Sequence, residues 1–197
     1  MKKLSALLIA VTMVFCLCAC ESNTIEKDGE FNPDSYISEA QLSVFINYVN
    51  LNQEFYNDVF VLGHLEADTE NVIEKDGKKW APVTDTTYKS YDELVEALYG
   101  TYTDEAAQKI LSDYPIYADV DGKFCYDMSD AENTRTGRKW VLNTDGEIEL
   151  EEKSEDSYTV EFRFTCDKRK EIDEFTFVRV GDGINEGYRL TELHEVT

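Results

Sequence analysis

Histidine, paired cysteine and positive charge are all scarce in this chain of 197 residues, and each scarcity removes a class of chemistry. There are two histidines, His64 and His194. Neither sits in a Ser/His or Cys/His pattern, so a nucleophile activated by imidazole has no visible site. Zinc asks for several Cys or His ligands at close spacing, and the sequence has no such group. Three acidic glycine turns, at Asp121-Gly122, Asp145-Gly146 and Asp182-Gly183, do not extend into a twelve-residue calcium loop. Lysine and arginine number 19 against 41 aspartates and glutamates. Such a surface repels nucleic acid and anionic lipid and attracts cationic partners, or serves solubility alone. Carboxylates are so abundant that no single pair stands out for acid–base work. The expectation is a protein with no cofactor, no metal and no enzymatic activity. No repeat at solenoid periods is visible.

Long apolar runs are also missing, with one exception at the start. Lys2 and Lys3 precede a run from Leu4 to Leu17, interrupted by Ser5, Thr12 and Cys16. That is the length of a signal-peptide core and short for a membrane span. It ends in Leu17-Cys18-Ala19-Cys20, which resembles the lipobox of bacterial lipoproteins. The resemblance implies a signal peptide over 1–19 and lipid on Cys20. The protein would then be anchored in the cell membrane on its outer, extracytoplasmic face. An ordinary signal peptide cut near the same place is the alternative. A diacylglyceryl group supplies two acyl chains, the number stable anchoring requires. Loss of residues 1–19 takes away Lys2 and Lys3, leaving 17 basic side chains against 41 acidic ones and a net charge of −24.

Of five cysteines, only Cys125 and Cys166 lie beyond Cys20. They form either a disulfide, which would stabilise by about 3–4 kcal/mol in the chain-entropy model, or two buried thiols acting as small hydrophobes.

Residues 20–35 read as a polar, lipidated tether and 36–197 as one domain, long enough for its own core. Leu42, Phe45, Tyr48, Val49, Phe55, Tyr56, Val59 and Phe60 recur at helical spacing and predict one long helix from Ser38 to Leu62, capped by Asp34, Ser35 or Ser38 and stopped near Gly63. Asp76-Gly77 between two short runs predicts a hairpin. Ser90 and Glu93 form a capping-box pattern opening a short helix that Gly100 ends. Thr103 opens another, and Pro115 stops it. From Ile116 the period becomes two: a hairpin through Asp121-Gly122, a strand at Lys139–Leu142, another at Glu147–Leu150, then Tyr158–Thr165, Glu174–Val180 and a last strand marked by Tyr188, Leu190 and Leu193. Helices followed by strands argue an α+β fold, a long N-terminal helix and two short ones packed on a curved antiparallel sheet of four to six strands. Lys168-Arg169-Lys170 is a solvated hairpin tip or a contact for an acidic partner. Trp80, Tyr88, Tyr126 and Trp140, near strand ends, line a pocket or belong to the core.

The order from Trp80-Ala81-Pro82-Val83 through Tyr88-Lys89-Ser90-Tyr91-Asp92-Glu93-Leu94, Tyr102-Thr103-Asp104-Glu105-Ala106-Ala107 and Asp121-Gly122-Lys123-Phe124 is strand, two helices, hairpin. Phe175-Thr176-Phe177-Val178 and Gly187-Tyr188-Arg189-Leu190 continue the plan. This pattern resembles the Gram-positive secreted proteins grouped around the inhibitor of cell-wall DL-endopeptidases (IseA type). It is also similar to the cystatin-like fold of nuclear transport factor 2-like domains. The resemblance covers most of residues 70–193 as an order of elements, with no contact residue to carry over. It implies a protein partner at the cell envelope, with a peptidoglycan endopeptidase first among those to test. A small-molecule domain with a pocket between the long helix and the sheet is the second reading, and an enzyme on the same scaffold the third.

Overall fold

The structure, a computed structural model, describes residues 37–129, 137–144, 148–181 and 187–196. The expected signal peptide, Cys20, the tether, and the glycines of the Asp145-Gly146 and Asp182-Gly183 turns lie outside the described residues. Among the described residues no helix is long and apolar enough to cross a membrane.

Helix α1 (Glu39–Glu54) begins at Ser38, whose hydroxyl accepts the Gln41 N–H at 3.2 Å while the Gln41 side chain accepts the Ser38 N–H at 3.2 Å. This reciprocal cap satisfies donors that the first turn leaves unpaired. The predicted single helix to Leu62 is not what forms. After 16 residues the α-helix gives way to a π-helical segment, Phe55–Phe60. Five of those six residues are buried: Phe55, Tyr56, Asn57, Val59 and Phe60. A regular α-helix turning 100° per residue would expose some of them. The wider i→i+5 turn keeps them inside, so packing overrides helical period here. The Tyr117 hydroxyl locks the end of the segment, donating to the Val59 carbonyl at 2.9 Å and accepting the Leu65 N–H at 2.8 Å. Gly63 follows because a Cβ there would lie 2.8 Å from the Asn57 carbonyl oxygen.

The strands are β1 (Ile73–Lys75), β2 (Lys78–Pro82), β3 (Tyr117–Val120), β4 (Lys123–Asp127), β5 (Val141–Leu142), β6 (Glu149–Lys153), β7 (Ser157–Cys166), β8 (Arg169–Val180) and β9 (Gly187–Leu190); α2 (Tyr91–Thr101) and α3 (Asp104–Asp113) lie between β2 and β3. The fold class is α+β, but the single predicted sheet is two curled antiparallel sheets forming a half-barrel. The first has the order β1-β2-β4-β3. The second runs β5-β7-β8-β9, with β6 also paired to β7. The predicted hairpins form where two-residue turns need positive φ: Asp76 and Gly77 at 52° and 76°, Asp121 and Gly122 at 55° and 77°. Those angles match the primed turns whose twist suits hairpins. Asp167, at 56°, turns β7 into β8 with positive φ at the first turn position only, putting Lys168 at the tip.

Ser90 accepts the Glu93 N–H at 3.1 Å, but Glu93 reaches past the predicted partner to the Lys89 N–H at 2.8 Å. Helix α2 continues through Gly100, where its end had been expected, to Thr101. The core lies where α1 and the π segment meet the inward sides of β7 and β8. Tyr158, Val160, Phe162 and Phe164 of β7 and Phe175 and Phe177 of β8 are buried in strict alternation. Phe45 of α1 stacks on Phe177 at a ring separation of 4.1 Å and meets Tyr188 edge-on at 5.0 Å.

The two cysteines are separate. Cys125 is buried on β4 of the first sheet, Cys166 is half-buried at the end of β7 in the second, and both are free thiols. Burial pushes the Cys125 thiol up. An alkylating reagent should therefore modify Cys166 in the native chain and Cys125 only on unfolding, followed by intact mass. Failure of both to react in denatured, unreduced protein would restore the bridge.

Asp127, at the end of β4, is almost fully buried. Burial raises its carboxyl. Three donors outweigh burial and hold it below its ordinary value: Lys78 Nζ at 2.7 Å, the Ser129 hydroxyl at 2.7 Å and the Ser129 N–H at 3.0 Å. A carboxyl lowered on folding contributes stability that is complete above its unfolded value, about 3.9. That contribution is lost as pH falls through the native value. Asp127→Asn should cost about 1–2 kcal/mol at neutral pH and make urea unfolding less acid-sensitive below about pH 4. An unchanged acid limb would remove Asp127 from that account.

Candidate functional site

The joint between α2 and α3 is tied to β9 at several points. The Tyr102 N–H closes α2 on the Leu98 carbonyl at 2.8 Å, and the Thr103 N–H donates to the Leu190 carbonyl at 2.9 Å. Tyr102 and Leu190 form a parallel bridge. Thr103 caps α3 by accepting the Ala106 N–H. Tyr102 is fully buried, and desolvation pushes its hydroxyl well up; that hydroxyl donates to Asn52 Oδ1 at 3.1 Å.

Asn52 is the centre of this tie. It has no exposed surface. Its Oδ1 also accepts the His194 N–H at 2.9 Å, and its Nδ2 donates to the His194 carbonyl at 2.8 Å. One amide thus satisfies both backbone groups of His194 and one phenol. The His194 ring meets Asp173 Oδ1 at 2.9 Å, with Glu192 Oε1 3.7 Å from Nδ1. The other histidine, His64, contacts the Leu65 carbonyl at 2.9 Å and stacks on Tyr126 at 4.3 Å. Among the described residues, neither ring is hydrogen-bonded to a hydroxyl or thiol, and no three His, Cys, Asp or Glu side chains converge as metal ligands.

On the outside of the joint lies a cleft of about 410 Å³, lined by Tyr99 and Tyr102 of α2 and its cap, Thr103, Asp104 and Glu105 at the start of α3, Val180 of β8 and Arg189 of β9. Arg189 is half-buried and held by three oxygens. Its Nε donates to the Tyr99 carbonyl at 3.0 Å, and Nη1 donates to the Tyr48 hydroxyl at 3.0 Å and the Tyr188 carbonyl at 2.7 Å. A smaller hollow of about 170 Å³ lies on the other flank of α3, between Lys109, Ile110 and Tyr114 and the segment Thr191–Leu193.

The four aromatic residues singled out in the sequence do not line these hollows. Tyr88, Tyr126 and Trp140 sit in the hydrophobic core. Tyr88 stacks on Phe55 and donates to Glu54 at 3.1 Å; burial and that carboxylate push its hydroxyl up. Trp80, half-buried on β2, lies beneath Lys78 Nζ at 5.3 Å from its ring centre. Reading these residues as core rather than pocket matches their placement. Asn52 and Arg189 are the residues that sequence reasoning passed over. Asn52 left a trace, a polar side chain between Val49 and Phe55 on an apolar stripe. Arg189 left none, since an arginine in a short strand is ordinary.

The sequence matches no protein-family model, and no curated protein is similar to it.

Proposed function

We propose that this chain is a lipid-anchored extracytoplasmic binding protein, not an enzyme, whose acidic domain engages a protein partner with a basic face at the cell envelope. The observation that carries the reading is the outward side of the second sheet. Glu149, Glu151 and Glu152 of β6 and Glu174 of β8 are exposed there, beside Glu161 of β7. Burial, and then the charges of Glu149 and Glu151, push the Glu161 carboxyl up. Like charges crowded this way are relieved by an incoming cation, which steers association and fixes register. Arg163, 3.2 Å from Glu149, offsets only part of that charge.

The second reading, a small-molecule pocket between the long helix and the sheet, meets a packed interior: Phe45, Phe55, Phe162 and Phe177 are fully buried where the pocket would open. The resemblance noted above makes a peptidoglycan endopeptidase the first partner to test. The test measures peptidoglycan-fragment hydrolysis by the host's endopeptidases with and without the domain, at two salt concentrations. Inhibition with an on-rate that falls as salt rises is expected, because the Debye length is already about 8 Å at 0.15 M. Glu161→Lys should slow association several-fold and leave the fold intact. In-cell crosslinking that recovers no protein partner, together with no inhibition of any candidate, overturns the reading. Cys20→Ser should release the chain from the membrane fraction or leave it as precursor; unchanged membrane association would remove the anchor from the proposal.

A further inference from the structure

We propose that the cleft between the α2–α3 joint and β9 is a binding site for a small zwitterion, a carboxylate with a nearby protonated amine, such as a short peptide. Arg189 has hydrogen-bonding capacity to spare. A guanidinium has five N–H donors. The single Nε–H and the two on Nη1 are used by the Tyr99 carbonyl, the Tyr48 hydroxyl and the Tyr188 carbonyl. The two on Nη2 have no partner among the described residues.

All three acceptors are uncharged, and Arg189 makes no ion pair among the described residues. In a chain with 41 acidic side chains, a half-buried guanidinium held only by neutral oxygens keeps its charge available. It lines a cavity of about 410 Å³, within the range of roughly 300–1,000 Å³ typical of ligand pockets. The three hydrogen bonds hold the side chain in place before any ligand arrives, so little conformational entropy is lost on binding.

The rest of the lining gives the ligand its second charge. Asp104 and Glu105 are exposed at the start of α3 and line the same cleft. A simple anion would meet attraction from Arg189 and repulsion from these two carboxylates. A molecule carrying both charges places its carboxylate on Nη2 and its ammonium on Asp104 or Glu105. Tyr99, half-buried, borders the cleft beside the part between. This site is separate from the acidic outward face of β6–β8, and either proposal can fail without the other.

The experiment titrates the detergent-solubilised full chain with alanyl-alanine, its N-acetylated form and its C-amidated form, read by calorimetry. The free dipeptide should bind roughly tenfold or more tightly than either blocked form, the range of one charge-assisted hydrogen bond. Arg189→Gln should abolish the preference for a free carboxylate. That variant also loses contacts to α1 and α2, so a second one guards against misfolding. Asp104→Asn with Glu105→Gln changes exposed side chains only, and it should bring the N-acetylated and free forms within about twofold of each other. Absence of binding by the free dipeptide, equal affinity for all three ligands, or an unchanged ligand ratio in the double variant each overturns the proposal.

Discussion

Phe45→Ala should destabilise the domain by about 3–5 kcal/mol, the range for deleting a fully buried aromatic ring. Phe45 has no exposed surface, and its ring contacts three others, Phe177, Tyr158 and Tyr188. The loss has two parts: the transfer free energy of the ring, and the cavity left because the surrounding β-strands collapse only in part. The Gln41 amide donates to the Tyr158 and Tyr188 hydroxyls at 3.2 and 3.0 Å, so α1 keeps a second hold on the sheet. The variant is therefore expected to fold at low temperature, with its urea midpoint shifted and its denaturant slope unchanged. It should also bind small apolar probes such as benzene more tightly than the wild-type chain does. A cost below about 1 kcal/mol would mean that α1 does not close this side of the sheet.

Asn52→Ala is expected to cost about 3–5 kcal/mol as well, by a different mechanism. Here the removed group is polar. Three partners lose it at once: the buried Tyr102 hydroxyl and the half-buried N–H and carbonyl of His194. Each buried group left unpaired costs about 1–3 kcal/mol, partly recovered where water enters. Asn52→Asp is the sharper variant. It keeps two acceptor oxygens, but replaces the Nδ2 donor with an oxygen facing the His194 carbonyl, in a site without solvent. It should be destabilised at neutral pH and recover partly on acidification, as the neutral acid regains a donor. Hydrogen exchange locates the effect. The His194 amide, protected in wild type, should exchange in both variants at stability-independent rates, because the terminal segment detaches before the domain unfolds. Retained protection with full loss of global stability would contradict this.

How much of this was legible in the sequence depends on how far apart the interacting residues lie. The Asp-Gly pairs named their hairpins because positive φ at both turn positions is a local demand that few other residues meet. Ser90 and Thr103 announced helix starts, and Ser38 stood with Asp34 and Ser35 as a candidate, for the same reason: the N–H groups a cap satisfies are only a few residues away. Strict alternation in Tyr158, Val160, Phe162 and Phe164 announced a half-buried strand without knowledge of what covers it. The π segment was misread as α because burial of both Tyr56 and Asn57, one residue apart, cannot be inferred from a 3.6-residue period. Core and pocket were left as alternatives for the four aromatics because such a residue looks the same in sequence whether it lines a hollow or fills one. Tyr126 and Trp140 fill the core.

By itself, the sequence determined the fold class, the succession of helices and hairpins, the excess of acid and the absence of a recognisable catalytic set. These depend on composition and on forces acting between neighbours along the chain. The tertiary structure alone decided that the strands divide into two sheets, that Cys125 and Cys166 lie on different ones, and that Asn52 and Arg189 sit at the α2–α3–β9 joint. Asn52 lies 142 positions from His194, and Tyr48 lies 141 from Arg189. No local pattern encodes such pairs. They are selected because every buried donor and acceptor needs a partner, a condition settled only when the whole core closes.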